Sequence, residues 1–235
     1  MDLMDAFWIG LRQIKVKNMS EVNEFRNEAY DQVVKIGKTL GNVSRLKILD
    51  NLVQSKKSVE ELARAVGLSI GTTSKNLQLL KKVNLVKEEK EKNFVFYAIA
   101  DQKVKQLLTL LIDISEENIP ELKQLQKDLK KHNSNLISLS IPELRNKIKK
   151  EDIYIIDLRS KDEFDTGHLP GAHNIPFNKI DDEMNKLPRD REMVIYCRGR
   201  LCPYSDIVGN KLKMAGYNVQ TFNNTVWEWQ QAVEG

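Results

Sequence analysis

Residues 58–82 read SVEELARAVGLSIGTTSKNLQLLKK. Val59, Leu62, Ala63 and Val66 recur at the spacing of one helical face, and Ser58 with Glu61 has capping-box spacing. Gly67 closes that helix. A second opens at Ser69, with Ile70, Thr73, Leu77 and Leu80 expected to turn inward. Upstream, Leu46, Leu49, Leu52 and Val53 keep the same period, with Ser44 at the expected N-cap. Before them Phe25, Ala29, Val33, Ile36 and Leu40 share another helical face. Downstream the period drops to two. Val86-Lys87-Glu88 and Phe94–Ile99 flank a charged turn through Lys90-Glu91-Lys92-Asn93, which predicts a β-hairpin. A long helix from Asp101 follows, with Val104, Leu107, Leu108 and Leu111 on one stripe; Pro120 restarts it, and it ends near Lys131.

Helix, short turn, helix and hairpin describe a mainly α winged helix-turn-helix, whose second helix enters the DNA major groove. With the inward positions removed, Ser69, Gly71, Thr72, Lys75, Asn76 and Gln78 face outward. Short hydroxyls, amides and one cation suit base edges and phosphates, and Gly71 lets the helix start approach the sugar-phosphate backbone. Lys90 and Lys92 on the wing can reach phosphate or the minor groove.

The rest of the composition sets bounds. The 235 residues are 41% apolar and 30% charged, enough for one large or two small folded domains. Two cysteines exclude a disulfide-rich secreted scaffold. No run of about 18 apolar residues occurs, and Asp2 and Asp5 precede the short apolar stretch near Trp8, so no membrane span or signal peptide is expected. A soluble, cytoplasmic chain is the expectation. Residues 1–131 carry 23 Lys and Arg against 18 Asp and Glu; residues 132–235 carry 14 against 15. The excess of positive charge therefore sits in the first part, as a polyanion partner requires. His132-Asn133-Ser134-Asn135 reads as linker, giving an extension over 1–18, a DNA-binding and dimerisation domain over 19–131, a linker over 132–139 and a second domain over 140–235.

That second domain alternates strand and helix. Strands are expected at Tyr154–Asp157, Met193–Tyr196 and Asn218–Phe222, and helices at Ile141–Lys149, Lys161–Phe164, around Asp181–Asn185, Pro203–Ala215 and Thr225–Val233. Ser140/Glu143 and Ser160/Glu163 have capping-box spacing. The pattern is that of an α/β parallel sheet. Cys197 directly follows an apolar strand, and Pro203 opens the next helix, so the loop lies at the carboxyl edge of the sheet, where ligands bind. Arg198, Gly199, Arg200 and Leu201 can curl into a concavity of N–H groups that holds an anion. The same field is expected to ionise the Cys197 thiol and make it a reachable nucleophile. His168-x4-His173 offers only two ligands, so both histidines are expected to be structural, with Trp227 and Trp229 packing the core.

Two resemblances join these readings. Within residues 21–115, IGKTLGNVSRLKILDNLV, SVEELARAVGLSIGTTSKNLQLLKKVNLV and FVFYAIAD resemble the ArsR/SmtB repressors. That resemblance implies a homodimer built on the first and last helices, bound to near-palindromic double-stranded operator DNA. The first 196 residues hold no cysteine and 101–118 no histidine, so neither familiar metal site of that family can be built, and no metal or other cofactor is expected. Over 137–235, IIDLRSKDEFDTGHLPGAHNIP, VIYCRGRLC and FNNTVWEWQQA resemble a rhodanese domain. This implies sulfane sulfur carried as a persulfide on Cys197, with Asp157, Arg159 and His168 in the structural motif. The usual arginine five residues after that cysteine is here Cys202, a resolving or redox partner able to close a disulfide. Pro203 stands where a related phosphatase loop needs arginine, which excludes that chemistry. Residues 1–18 resemble neither family, and either Met19 is the expected natural start or the segment is flexible.

Together these readings describe a repressor that responds to sulfur or redox state, with thiosulfate, a polysulfide or a persulfide as donor. The alternative is a rhodanese-type sulfurtransferase whose first domain serves only DNA localisation or dimerisation. A third, weaker reading is metalloid or arsenate chemistry at the two thiols.

Overall fold

A computed structural model of the chain describes residues 19–132, 136–150 and 153–234. The extension over 1–18 lies outside the described residues.

The first domain runs α1 (Met19–Leu40), α2 (Val43–Gln54), α3 (Val59–Val66), α4 (Ile70–Lys82), β1 (Val86–Glu91), β2 (Phe94–Ile99), α5 (Gln102–Asn118) and α6 (Pro120–His132). Ser58 and Glu61 form the expected capping box on α3, and Gly67 ends it in the left-handed conformation. Asn42 caps α2, not Ser44: its side chain accepts from the Arg45 N–H. Leu49, Leu52, Leu62, Leu77, Leu80 and Val104 meet in one apolar core. Ile70 does not join them. It is 54% exposed on the first turn of α4, where Thr73 takes the inward place and donates to the Ser69 carbonyl. β1 and β2 pair antiparallel from Val86↔Ile99 to Glu91↔Phe94, and Lys92 makes the turn at φ 52°.

The second domain has α7 (Ile141–Lys149), β3 (Ile153–Asp157), α8 (Lys161–Thr166), β4 (Ala172–Asn174), α9 (Ile180–Glu183), β5 (Glu192–Tyr196), α10 (Tyr204–Met214), β6 (Val219–Phe222) and α11 (Val226–Glu234). The sheet is parallel, in the order β4-β3-β5-β6. Alternation along β5 sends Val194 and Tyr196 to one apolar face, with Phe222 and Trp229. Met193, Ile195 and Cys197 go to the other, under Val208 and Leu212 of α10.

Two expectations need correction here. The described part of the linker, 136–139, belongs to the second domain: Ser138 bridges Thr221 in parallel, and the Leu139 N–H donates to the Thr221 carbonyl at 2.8 Å. Ser160 makes no side-chain cap on α8, and the Glu163 carboxylate that a capping box would turn back to the Ser160 N–H pairs with Lys57 and Arg198 instead.

Candidate functional site

The outward face of α4 stands as the sequence laid it out. Ser69, Gly71, Thr72, Lys75 and Gln78 are exposed and Asn76 is half-buried. Ser69 caps the helix by accepting from the Thr72 N–H at 3.1 Å, and its hydroxyl donates to Thr72 Oγ1 at 2.9 Å. The Asn76 amide donates back to the Thr72 carbonyl at 2.9 Å. Lys75 and Gln78 have no such local tie among these bonds. Lys90 lies exposed on β1 and Lys92 at the hairpin tip.

The loop after β5 is pinned at several points. Gly199 has φ +109°, and a Cβ there would fall 2.8 Å from Thr225 Cγ2, so only glycine fits. The Cys202 N–H donates to the Gly199 carbonyl at 3.0 Å and closes the turn before α10. Both cysteines are free thiols, with Sγ atoms 3.1 Å apart.

The expectation of an ionised, reachable Cys197 is not met. Its side chain follows the Met193–Ile195 alternation into the core and is 1% exposed. Its hydrogen bond to Cys202, then burial, push its pKa well up. Cys202 has the opposite environment. Its bond with Cys197 outweighs its burial, and the backbone of Tyr204 and Arg198 adds to it, holding the Cys202 thiol below its usual range.

Nor do Arg198 and Arg200 form a free anion clamp. Arg198 Nε donates to both Glu163 oxygens at 3.0 Å, and Glu163 also pairs with Lys57 at 2.9 Å. Burial pushes the Glu163 carboxyl up, but the bonds and field of Arg198 and the charge of Lys57 outweigh it and hold it low. Arg200 pairs with Asp113, with Glu116 at 2.9 Å and with Glu228 at 3.1 Å. Four carboxylates thus neutralise the two guanidinium groups. Leu201, 51% exposed, lines a cavity of about 30 Å³ between this loop, α2 and α5, together with Asp50.

Several of these partners come from the first domain. Gln54, at the end of α2, donates Nε2 to the Arg198 carbonyl at 3.1 Å and accepts from Arg159 Nη1 at 3.4 Å. Asp113 and Glu116 lie on α5. Asp50 of α2 is raised to about 6, by burial above all, with Arg198 lowering and Glu163 raising it. The loop is therefore bonded to the DNA-binding domain on two helices. No local pattern marks Gln54, Lys57, Asp113 or Glu116, because each meets its partner across 84–144 residues of chain; Glu163 is marked only by its spacing from Ser160, not by its pairing with Lys57 and Arg198.

Asp157 and Arg159 form a buried pair: Arg159 Nη2 donates to Asp157 Oδ2 at 2.6 Å and to the Gly167 carbonyl at 2.7 Å. The Tyr196 hydroxyl donates to Asp157 Oδ2 at 2.5 Å and accepts from the Leu169 N–H. His168 stacks on Phe164 at 3.8 Å and His173 on Tyr154 at 4.2 Å. Trp229 is buried against Phe222, while Trp227 is only half-buried. Among the described residues, no group of three His, Cys, Asp or Glu side chains could hold a metal ion.

The fold and the dithiol loop define a winged helix-turn-helix regulator with an appended rhodanese-like sheet. Residues 42–88 match the bacterial regulatory protein, arsR family, and residues 140–232 match the rhodanese-like domain. The HTH-type transcriptional regulator Rv0324 of Mycobacterium tuberculosis is 33% identical over 202 residues, covering 86% of this chain and 88% of that one. The chain belongs to the ArsR family of transcriptional regulators and carries a rhodanese domain. A sulfurtransferase of Allochromatium vinosum is 40% identical over 48 residues, 20% of this chain and 45% of that protein. A solution structure of the homodimeric winged helix-turn-helix domain of Mb0332 from Mycobacterium bovis is 38% identical, with a TM-score of 0.39, covering 40% of this chain and 87% of that one. Among the described residues, no helix is long and apolar enough to cross a membrane.

Proposed function

We propose that the chain is an operator-binding repressor whose DNA affinity is set by the sulfur or redox state of Cys197 and Cys202. The observation that carries this reading is the double attachment of the loop. Arg198 and Arg200 lie between the two thiols and are bonded to Gln54 on α2 and to Asp113 and Glu116 on α5. Closing a disulfide draws the sulfurs from 3.1 Å to about 2.05 Å, which the intervening residues must absorb. Strain in the loop is then felt by α2 and α5.

The homodimer belongs to the same proposal. α1 has no buried residue, and Phe25, Tyr30, Val33 and Ile36 are exposed along it, as are Leu110 and Ile114 on α5. Apolar residues left exposed on these two helices call for a second copy to cover them. Packing of the loop against the first domain, with a cavity of only about 30 Å³ between them, supports sensing over steady sulfurtransferase turnover.

The test is operator binding, measured by fluorescence anisotropy at fixed salt before and after treatment with tetrasulfide. A change of about tenfold is expected, within the usual range of coupling between sites. Equal affinities would overturn the reading, and Cys197→Ser is expected to remove the response.

A further inference from the structure

We infer that Cys202, rather than Cys197, is the thiol that first takes sulfur from a donor, and that the donor is a hydropolysulfide. This rests on the sensing function proposed above and assigns its chemistry.

Access and position come first. Cys197 is sealed under α10 at 1% exposure, whereas Cys202 is only partly covered. Cys202 also stands two residues before the 11-residue helix α10, whose N-cap is Pro203. Helix N-termini favour the anion. The two Sγ atoms share an S–H···S contact at 3.1 Å, so the second thiol already stands within reach of a sulfur added to the first.

The donor follows from the surroundings. Thiosulfate would leave sulfite, whose oxygens need free cationic or N–H partners. Arg198 and Arg200 are occupied by Glu163, Asp113, Glu116 and Glu228. Cys202 instead packs on the same apolar cluster as Phe177 and Tyr204, whose rings stack at 3.9 Å. A linear sulfur chain without oxygen atoms suits that wall.

The chemistry balances in two steps. The Cys202 thiolate attacks a terminal sulfane sulfur; one S–S bond of the donor breaks, a Cys202 persulfide forms, and the shortened chain leaves with the electron pair. Cys197 then gives up its proton and attacks Cys202 Sγ. The outer sulfur leaves as hydrosulfide, takes up that proton, and the Cys197–Cys202 disulfide is closed. Two thiols have lost two electrons, and one sulfane sulfur has gained them as sulfide.

The test uses the full chain and its Cys197→Ser and Cys202→Ser variants, with iodoacetamide and tetrasulfide as probes and peptide mass spectrometry as readout. Alkylation is expected first on Cys202, and Cys197 in the Cys202→Ser variant is expected to react at least about tenfold more slowly at pH 7. Tetrasulfide should add one sulfur atom to Cys202 in the Cys197→Ser variant and none to Cys197 in the other. In the unsubstituted chain the two-hydrogen mass loss of a disulfide should appear, with sulfide released. Thiosulfate should leave both thiols unchanged. First labelling of Cys197, or sulfur on Cys197 when Cys202 is absent, would overturn the order of attack; transfer from thiosulfate would overturn the donor. Neither readout involves DNA. Correct labelling with an unchanged operator affinity would sink the sensing function, whereas wrong labelling with an intact DNA response would sink only this assignment.

Discussion

The outward face of α4 and the loop at 197–202 are both polar surfaces next to a helix start, yet they are held in opposite ways. On α4, Ser69, Thr72 and Asn76 bond only within their own helix, and Lys75 and Gln78 point to solvent. In the loop, Arg198 and Arg200 reach partners 28–87 residues away, and Gln54 joins from 144. A face that must adapt to another molecule is left loosely tied. The loop, which under the proposed function reports its own chemistry, is tied to both domains.

The largest contrast should come from the buried support beneath the loop. Arg159→Ala strands the Asp157 carboxylate in the core, with only the Tyr196 hydroxyl and the Arg159 backbone N–H left to bond it. A loss of about 3–5 kcal/mol is expected, read from urea unfolding of the second domain by tryptophan fluorescence. A loss below about 1 kcal/mol would mean that the pair is not what holds the region together.

An intermediate effect, with a defined pH dependence, is expected at Asp50. Its folded pKa is about 6 against an ordinary 3.8, so the folded state holds the proton more tightly than the unfolded one. Stability from this group is therefore present below about pH 4 and is lost as pH rises through about 6. Arg198 and Glu163, the charged groups that face it, pull in opposite directions. Asp50→Asn should be more stable than the parent by about 1–2 kcal/mol at pH 7, and the gap should shrink at pH 4. A gap independent of pH would dismiss the burial of this carboxyl.

The smallest effect on stability is expected on α4. Lys75→Ala should shift unfolding by less than about 0.5 kcal/mol while it lowers operator affinity. The slope of log affinity against log salt should fall by about one if Lys75 meets a phosphate. An unchanged salt slope with unchanged affinity would remove Lys75 from the DNA face.

The same contrast explains what could be read from the chain in advance. Periodicity carried α2 to α4, the hairpin and three of the four strands, because each buries residues at fixed local spacing. The strand Ala172–Asn174 has only three residues, too few for an alternation to register. Ser160 and Glu163 have the spacing of a cap, but Arg198 and Lys57 compete for the carboxylate and win by charge. The depth of Cys197 was legible in principle, since it continues the alternation of Met193 and Ile195. The two adjacent arginines suggested exposure, and only the fold reveals the four carboxylates that occupy them.

Lys57 has a second attachment with a practical consequence. Its backbone N–H donates to the Tyr97 carbonyl at 3.0 Å and its carbonyl accepts from the Tyr97 N–H at 2.8 Å, while its ammonium grips Glu163. The strand that carries the wing thus hangs from the same residue that anchors the neighbouring module. Anyone building a chimaera, with this DNA reader under a foreign sensor, would cut between the modules in the chain and still leave their shared joint behind. A transplant that keeps the wing's pose must bring along a counter-charge for Lys57, or replace the lysine with it.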